Sequence, residues 1–569
     1  MMSLLWMMVV ASADERVPDW VAALEDELDR NTEALRLDEH EGPYHLRYKI
    51  QDLHVVSALS SFGGLVSSNV GVNRTLGVEV RVGSPDWDNT GVGSYKNGMS
   101  AMELPDVVTP TAARQVAWLA TDEAYKDALE QLTRKTAQVE RAPDHPGDYI
   151  MSPGVEDITL GAPAATADAA AVTGIVTTAT REFLAYPSLT QGVATIAVEE
   201  GTRWVLDSEG TRVAMPAYEL SLRFMAQARA EDGMRYGAER LVTVGEWTAL
   251  PGPDDLRRLA RETAEEAVAA ATAAPMVGEY VGPVVMEGQA ATELFRWLLL
   301  PELVGTPPEG GLDDPSVSET MARTGRRILP QGWEVVDDPG AFPGHPGAYA
   351  FDHEGTPAEV VHAVRDGIVR DLLMSRTPRR GMGASNGHGR GGIGSRSSGY
   401  PSMVSVMPMR HMSHTRLMKE AKKAAQSYGL DHVIVIRRLT HPATTYLAQR
   451  FSFRSADGLS LPEPLVAERV YLDGRVEQIR GLSFASVDRR LLRDIMMAGP
   501  VVERDLILGF DLRVPWLGPL DGIPSRMRVP EVLVGEMELL PAVGGKKSPP
   551  RLVAVERVDE DPEDREVVP

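Results

Sequence analysis

Apolar positions along this chain change period several times, and each change marks a new element. In VPDWVAALEDELDRNTEALRL, Trp20, Leu24 and Leu28 recur at i, i+4 and i+8, which is one face of an amphipathic helix. The runs HLRYKIQDLHVVSAL, GGLVSSNVGV and TLGVEVRVG alternate or are β-branched and predict strands, with the glycines and Asn73 between them supplying turns. A long helix follows in TPTAARQVAWLATDEAYKDALEQLTRKTAQVER, where Thr109 suits the N-cap and Pro110 the first helical position. Between residues 192 and 244 the pattern returns to strands, with hairpin turns expected at Ser208-Glu209-Gly210 and Glu231-Asp232-Gly233. The Ala-rich stretch PGPDDLRRLARETAEEAVAAATAA, acidic near its start, predicts another helix.

The second half opens with a strand, EYVGPVVM, and an apolar helix around 290 to 303. It then reads as strands in GAYAFD, EVVHAVRDG, IVRDLLMS, HVIVIRRL, LVAERVYLDGRVEQI and RVPEVLVGEMELL, with Asp473-Gly474 as a hairpin turn. The segment 381–401, GMGASNGHGRGGIGSRSSGYP, is Gly/Ser/Arg-rich and is expected to lack regular structure. The fold class is therefore α+β. A mixed α/β domain with long helices and a β meander is expected over 14–277, and a β-rich domain over 278–550. No internal repeat is visible.

Composition narrows the partners. Lys+Arg 58 against Asp+Glu 81 gives a net charge of −23, which argues against nucleic acid. Part of that charge sits in residues 551–569, expected to be a disordered acidic tail. The absence of cysteine excludes disulfides, thiol nucleophiles and cysteine-held metals. Residues 1–13 combine an apolar run, Leu4 to Ala11, with Ala11-Ser12-Ala13, the pattern of a secretory signal, though no Lys or Arg precedes the run. This predicts an exported, periplasmic protein beginning near Asp14, with a cytoplasmic location as the alternative. No segment reaches the ~20 apolar residues of a membrane span.

Three stretches resemble chemical motifs. HEGPYH puts His40 and Glu41 ahead of a second histidine, His45, much as zinc proteases do. Gly42-Pro43 between them forbids the helix that would aim both imidazoles at one metal, so the segment is expected to be an exposed turn entering a strand. Gly389, Gly391 and Gly394 spell G-x-G-x-x-G, but Gly, Ser and Arg continue on both sides where a dinucleotide site needs strand and helix. A mobile loop touching a ligand or partner, or a plain surface loop, fits better. In RHMSH, His411 and His414 lie three apart beside the Met-rich run Met403 to Met412, with no acid nearby in sequence, which favours a half-buried core strand.

The second half also resembles a known family. Val336-Asp337-Asp338-Pro339, Asp352-His353-Glu354-Gly355, Asp366-Gly367-Ile368-Val369 and Asn386-Gly387 follow the order and spacing of the TldD/PmbA (TldD/TldE, "modulator of DNA gyrase") family, and DSEGTRV is similar to its first-domain hairpin. The resemblance implies zinc metallopeptidases acting on extended peptides. Their HExxxH lies on a helix after a "PVV" strand, and a downstream cysteine completes the site. In this sequence Thr292 stands at the first His, Glu293 at the Glu and Trp297 at the second His, after Pro283-Val284-Val285, and no cysteine exists.

No catalytic residue and no metal are therefore expected, although zinc is implied for active members. Glu293 is expected to pair with Arg296 on a buried, filled-in helix. The reading favoured is a non-catalytic, TldE-like subunit that pairs with an active TldD-like homologue or with itself around an extended peptide, with Asp352, Gly355, Asn386 and Gly387 as substrate-binding residues. The alternatives are an active metallopeptidase with a relocated site using His40, His45, His411 or His414, and a free-standing peptide-binding protein.

Overall fold

The computed structural model describes residues 17–37, 39–91, 97–138, 141, 145–159, 167–306, 324–379, 381–440, 461–508 and 522–542. The expected export signal and acidic tail lie outside them. The described residues open with α1 (Asp19–Ala34) and a long hairpin of β1 (His45–Ser61) and β2 (Gly64–Arg81). A small ladder of β3 (Gly83–Ser84) and β4 (Trp87–Asp88) precedes β5 (Met99–Glu103) and α2 (Pro110–Gln138). Next come β6 (Glu156–Ile158), α3 (Ala169–Thr180), β7 (Leu189–Asp207), β8 (Arg212–Arg229), β9 (Arg235–Val244) and α4 (Pro253–Thr272). The first sheet runs β5-β2-β1-β7-β8-β6, with β9 also on β8.

One face of this sheet is apolar along its whole length. Leu46, Tyr48, Ile50, Val78, Val80, Trp204 and Leu206 pack under α1 and α2. Farther along, Val56, Ala58, Leu220, Leu222 and Phe224 pack under α3 and α4. The intervening residues point to the opposite face, as strand alternation requires. There Arg47, Lys49, Glu79, Arg81 and Asp207 are all buried, because the second half of the chain covers them.

That half contains β10 (Ala274–Pro275), β11 (Tyr280–Met286), α5 (Gly288–Leu298), α6 (Leu300–Leu303), β12 (Trp333–Asp337), β13 (Val361–Arg365) and β14 (Ile368–Val369). A minimal hairpin of β15 (Gly389–Arg390) and β16 (Ser398–Gly399) follows, then β17 (Met403–Pro408) and α7 (His414–Ser427). The last strands are β18 (His432–Leu439), β19 (Pro464–Tyr471), β20 (Val476–Arg480), β21 (Leu482–Phe484), β22 (Ile495–Leu508) and β23 (Ile523–Pro541). The second sheet runs β10-β20-β19-β18-β11-β23-β17-β12-β13-β14, with β21 and β22 also on β23. Among the described residues no helix is long and apolar enough to cross a membrane.

The α+β class holds, and several local expectations do not. Asn73 is not a turn. It lies inside β2, and the hairpin turns at Phe62 and Gly63, both with positive φ. GAYAFD forms no strand beyond an isolated bridge between Phe351 and Pro357, and IVRDLLMS pairs only over Ile368–Val369 before an isolated bridge at Leu373. RHMSH is not a core strand. Its Met-rich leader is β17, His411 is exposed, and His414 opens α7. Nor is 381–401 a free surface loop. Its residues 386–390 are buried and β15–β16 turns onto β1 and β2.

The glycines explain that packing. A Cβ on Gly77 would stand 1.9 Å from the Ile393 carbonyl oxygen, and one on Gly389 2.3 Å from Glu354 Oε2. Glycine here permits backbone to lie against backbone. Lys49 Nζ reaches under β2 to donate to the Ser395 carbonyl at 2.7 Å, and Arg396 donates to the Asn97 carbonyl at 2.7 Å.

Candidate functional site

β11 is an interior strand of the second sheet, paired in parallel with β18 and antiparallel with β23. At its end the chain turns through Glu287 and Gly288 (φ 51°) into α5. Ala290, Ala291, Leu294, Phe295 and Leu298 anchor the helix in the largest core cluster. The expected buried helix is present, but it is not filled in on every side. Glu293 and Arg296 line a cleft of about 650 Å³.

The cleft lies between α5, β9, α4, β18 and β22, and six arginines and six carboxylates contribute to its wall. Most face a partner: Arg240 bonds Glu266 at 2.7 Å, and Arg526 bonds Asp505 at 2.7 Å. Within α5, Thr292 is fully buried and its hydroxyl donates to the Gly288 carbonyl at 3.3 Å. Glu293 accepts the Trp297 indole N–H at 2.9 Å and faces the Arg296 guanidinium at 3.4 Å. The expected Glu293–Arg296 pair is therefore present, with Trp297 added to it. An indole N–H is a donor only and cannot bind a metal. These side chains do not fit a zinc site.

The four residues expected to meet peptide are placed inside. Asp352 is fully buried, and its carboxylate accepts backbone N–H groups from Glu354 (2.8 Å), Thr356 (2.9 Å) and Gly389 (2.8 Å). Burial, and Glu354 beside it, push this carboxyl up to about 7. Gly355 takes the positive φ of that turn, 74°. Asn386 grips the segment after β14, accepting from Met374 N and donating to the Leu372 carbonyl, both at 2.8 Å. Gly387 lies where a Cβ would meet the Pro357 carbonyl at 2.1 Å. All four hold the Gly-rich hairpin against its own domain.

The same hairpin closes a buried ionic network. Arg47 bonds Glu79 (2.9 Å) and faces Glu354 (3.6 Å); Arg81 bonds Glu79 and Asp88 (both 2.8 Å). Arg376 bonds Glu209, lies 3.5 Å from Asp207, and donates to the Ile150 carbonyl at 2.9 Å. Burial draws the Lys49 ammonium down to about 8.

HEGPYH is divided by this network. His40 is exposed, whereas His45 begins β1 with no exposed surface, correcting the expectation of an exposed segment. His45 Nε2 lies 3.0 Å from the Tyr149 hydroxyl and Nδ1 3.4 Å from Glu209. Burial first, then Arg47, hold its imidazole well below the usual histidine range. His45, Asp207 and Glu209 are close enough to share an ion, but Arg376 already pairs with both carboxylates.

Sequence reading missed a second constellation. His414 Nδ1 lies 3.4 Å from Glu287 Oε1 and 3.5 Å from Glu531 Oε2, and Arg437 holds the other oxygen of Glu287 at 2.9 Å. The acids absent near RHMSH arrive from the β11–α5 joint and from β23. No local pattern announces them.

Comparison with known proteins places this architecture. The model of the PmbA/TldA metallopeptidase C-terminal domain matches residues 278–539, and that of the central domain matches 163–271, together well over half the chain. The chain belongs to the PmbA/TldD metallopeptidase family. It is 32% identical over 171 residues to Metalloprotease slr0863 of Synechocystis, covering 30% of this chain and 35% of that protein. It is 27% identical over 196 residues to a metalloprotease of Methanothermobacter thermautotrophicus, covering 34% of this chain and 41% of that one. The matched stretch thus spans well under half of either relative. In fold it is similar to TldE from Thermococcus kodakarensis (TM-score 0.55, 13% identity, 91% of this chain and 99% of that one). It is likewise similar to a Thermotoga maritima protein described as a modulator of a DNA gyrase (TM-score 0.56, 14% identity, 87% and 96%).

Proposed function

We propose that this chain is a non-catalytic, TldE-like member of its family, a subunit that shapes a peptide-holding chamber with an active TldD-like homologue or with a second copy of itself. The observation that carries the reading is the Trp297–Glu293 bond on α5. Where the family resemblance puts a zinc-bound water and its general base, this chain has a tryptophan occupying the carboxylate and a threonine bonded to its own helix. A carboxylate so engaged has no metal-activated water to deprotonate. The absence of cysteine removes the remaining family ligand.

The retained fold supports a role in assembly. A stable pairing would bury upwards of ~1,200 Å². The test is hydrolysis of an unfolded peptide substrate with added zinc, by the chain alone and with a TldD-type homologue, alongside light-scattering mass measurement. The expected result is no cleavage alone and a complex with the homologue or with itself. Cleavage by the chain alone that is lost in Glu293→Gln overturns the reading, as does a strict monomer at micromolar concentration that ignores the homologue.

A further inference from the structure

We infer that Glu287, His414 and Glu531 form a divalent-cation site of the zinc class on the face of the second sheet, beside the start of α5. The inference goes beyond the reading above and does not depend on it.

The first observation is a register that brings like charges together. β11 and β23 are antiparallel, with Val285 opposite Leu533 and Met286 opposite Val532. Glu287 and Glu531 are the next residues along, and one carboxylate oxygen of each lies within 4.8 Å of the other. Two carboxylates directly opposite on neighbouring strands repel unless positive charge lies between them. Arg437 answers only one oxygen of the four, Glu287 Oε2.

The second observation is that the facing oxygens accept no hydrogen bond. Glu287 is 3% exposed, and its Oε1 has no hydrogen-bond partner; Glu531 is partly buried, and its Oε2 likewise has none. A buried acceptor left in this state is costly. Both oxygens point to one place, where His414 Nδ1 also points, and all three atoms lie within 4.8 Å of one another.

The third observation is the spacing. Donors held about 2.1 Å from a tetrahedral metal stand about 3.4 Å apart. The two nitrogen-to-oxygen separations are 3.4 and 3.5 Å. An imidazole with two carboxylates is a borderline-to-hard ligand set suited to zinc. The His414 side chain is 48% exposed, which leaves an approach for the ion and room for water as a fourth ligand.

His45, Asp207 and Glu209 make an instructive contrast. They are similarly close, but a guanidinium already bridges their carboxylates and two more arginines lie in the same network. Bound zinc at Glu287 would pin three elements far apart in sequence: the β11–α5 joint, the first residue of α7, and β23.

The test is equilibrium dialysis of zinc chloride against the full chain, repeated with cobalt, whose visible absorption reports tetrahedral coordination. One zinc per chain is expected, with binding lost in His414→Ala, weakened at least about tenfold in Glu531→Gln, and retained in Glu293→Gln. Unchanged melting of the metal-free variants shows that each is folded. No zinc binding by the natural chain, or equal binding by His414→Ala, overturns the inference. Zinc lost in Glu293→Gln but kept in His414→Ala overturns both this inference and the non-catalytic reading. Peptide cleavage by the chain alone that disappears in His414→Ala upholds the site and sinks the non-catalytic reading.

Discussion

Replacing Gly77 with alanine tests how the two halves are joined. The backbone there is ordinary strand, so the substitution adds only a Cβ. That atom would stand 1.9 Å from the Ile393 carbonyl oxygen and 2.8 Å from its carbon. Normal contact is about 3.4 Å, so the hairpin tip must retreat by roughly 1.5 Å, because backbone cannot rotate aside as a side chain does. A retreat of that size stretches the 2.7 Å bond from Lys49 to Ser395 beyond bonding reach. Overpacking of this kind costs about 1–3 kcal/mol, and a lost bond to a charged donor about 1.5–3 kcal/mol. Partial relaxation brings the sum to about 3 kcal/mol, or a melting midpoint lower by roughly 2–3 °C for a chain of 569 residues. The control is Gly71→Ala in the same strand, where among the described residues the only atom near the new Cβ is Asn69 Nδ2 at 3.8 Å. It is expected to change stability by no more than about 0.5 kcal/mol. Differential scanning fluorimetry gives the midpoints, and trypsin cleavage after Arg390 and Arg396 reports release of the hairpin. If Gly77→Ala melts with Gly71→Ala and resists trypsin like the natural chain, the proposed close contact is wrong.

Arg376→Met leaves Asp207 and Glu209 buried without their cation, which is expected to cost about 3–5 kcal/mol in a denaturant titration; a loss below about 1 kcal/mol would show that water or another arginine replaces it. His45, held below its unfolded pKa of ~6.5 by burial, binds a proton in the unfolded chain before the folded one does, so its contribution is full above pH ~6.5 and falls by up to about 1.4 kcal/mol per unit below it. Midpoints measured from pH 7 to 5 should therefore fall less steeply for His45→Gln than for the natural chain, and parallel curves would refute the assignment.

Much of the fold was legible because periodicity reports local geometry. HVIVIRRL is β18 residue for residue, and the turns at Glu209-Gly210 and Asp473-Gly474 sit where their residues demand. Alternation in HLRYKI and GVEVR identified strands but does not report what covers their second face. Arg47, Lys49, Glu79 and Arg81 look like a solvated side, and only long-range packing buries them. Nothing near Gly77 in sequence reveals that another backbone will lie against it. On α5, Thr292, Glu293 and Trp297 could be picked out from the resemblance, while the cleft beside them could not, because β22 and α4 build its other walls. The Glu287–His414–Glu531 grouping was hidden for the plainest reason, since three separate elements supply one residue each.

The hairpin clasp also sets an order of events during synthesis. Lys49 and the carbonyl it needs are 346 residues apart in the chain. At translation rates of about 5–20 residues per second, the charged face of the first sheet waits roughly 20–70 seconds for its cover. During that interval Arg47 and Arg81 can already pair with Glu79, since β1 and β2 are made together. Arg376 and the hairpin arrive as late partners, and Lys49 remains solvated until they do. The first half can therefore emerge with its helices packed on one face and its other face still wet, a half-finished product that stays soluble because its unfinished side carries charge.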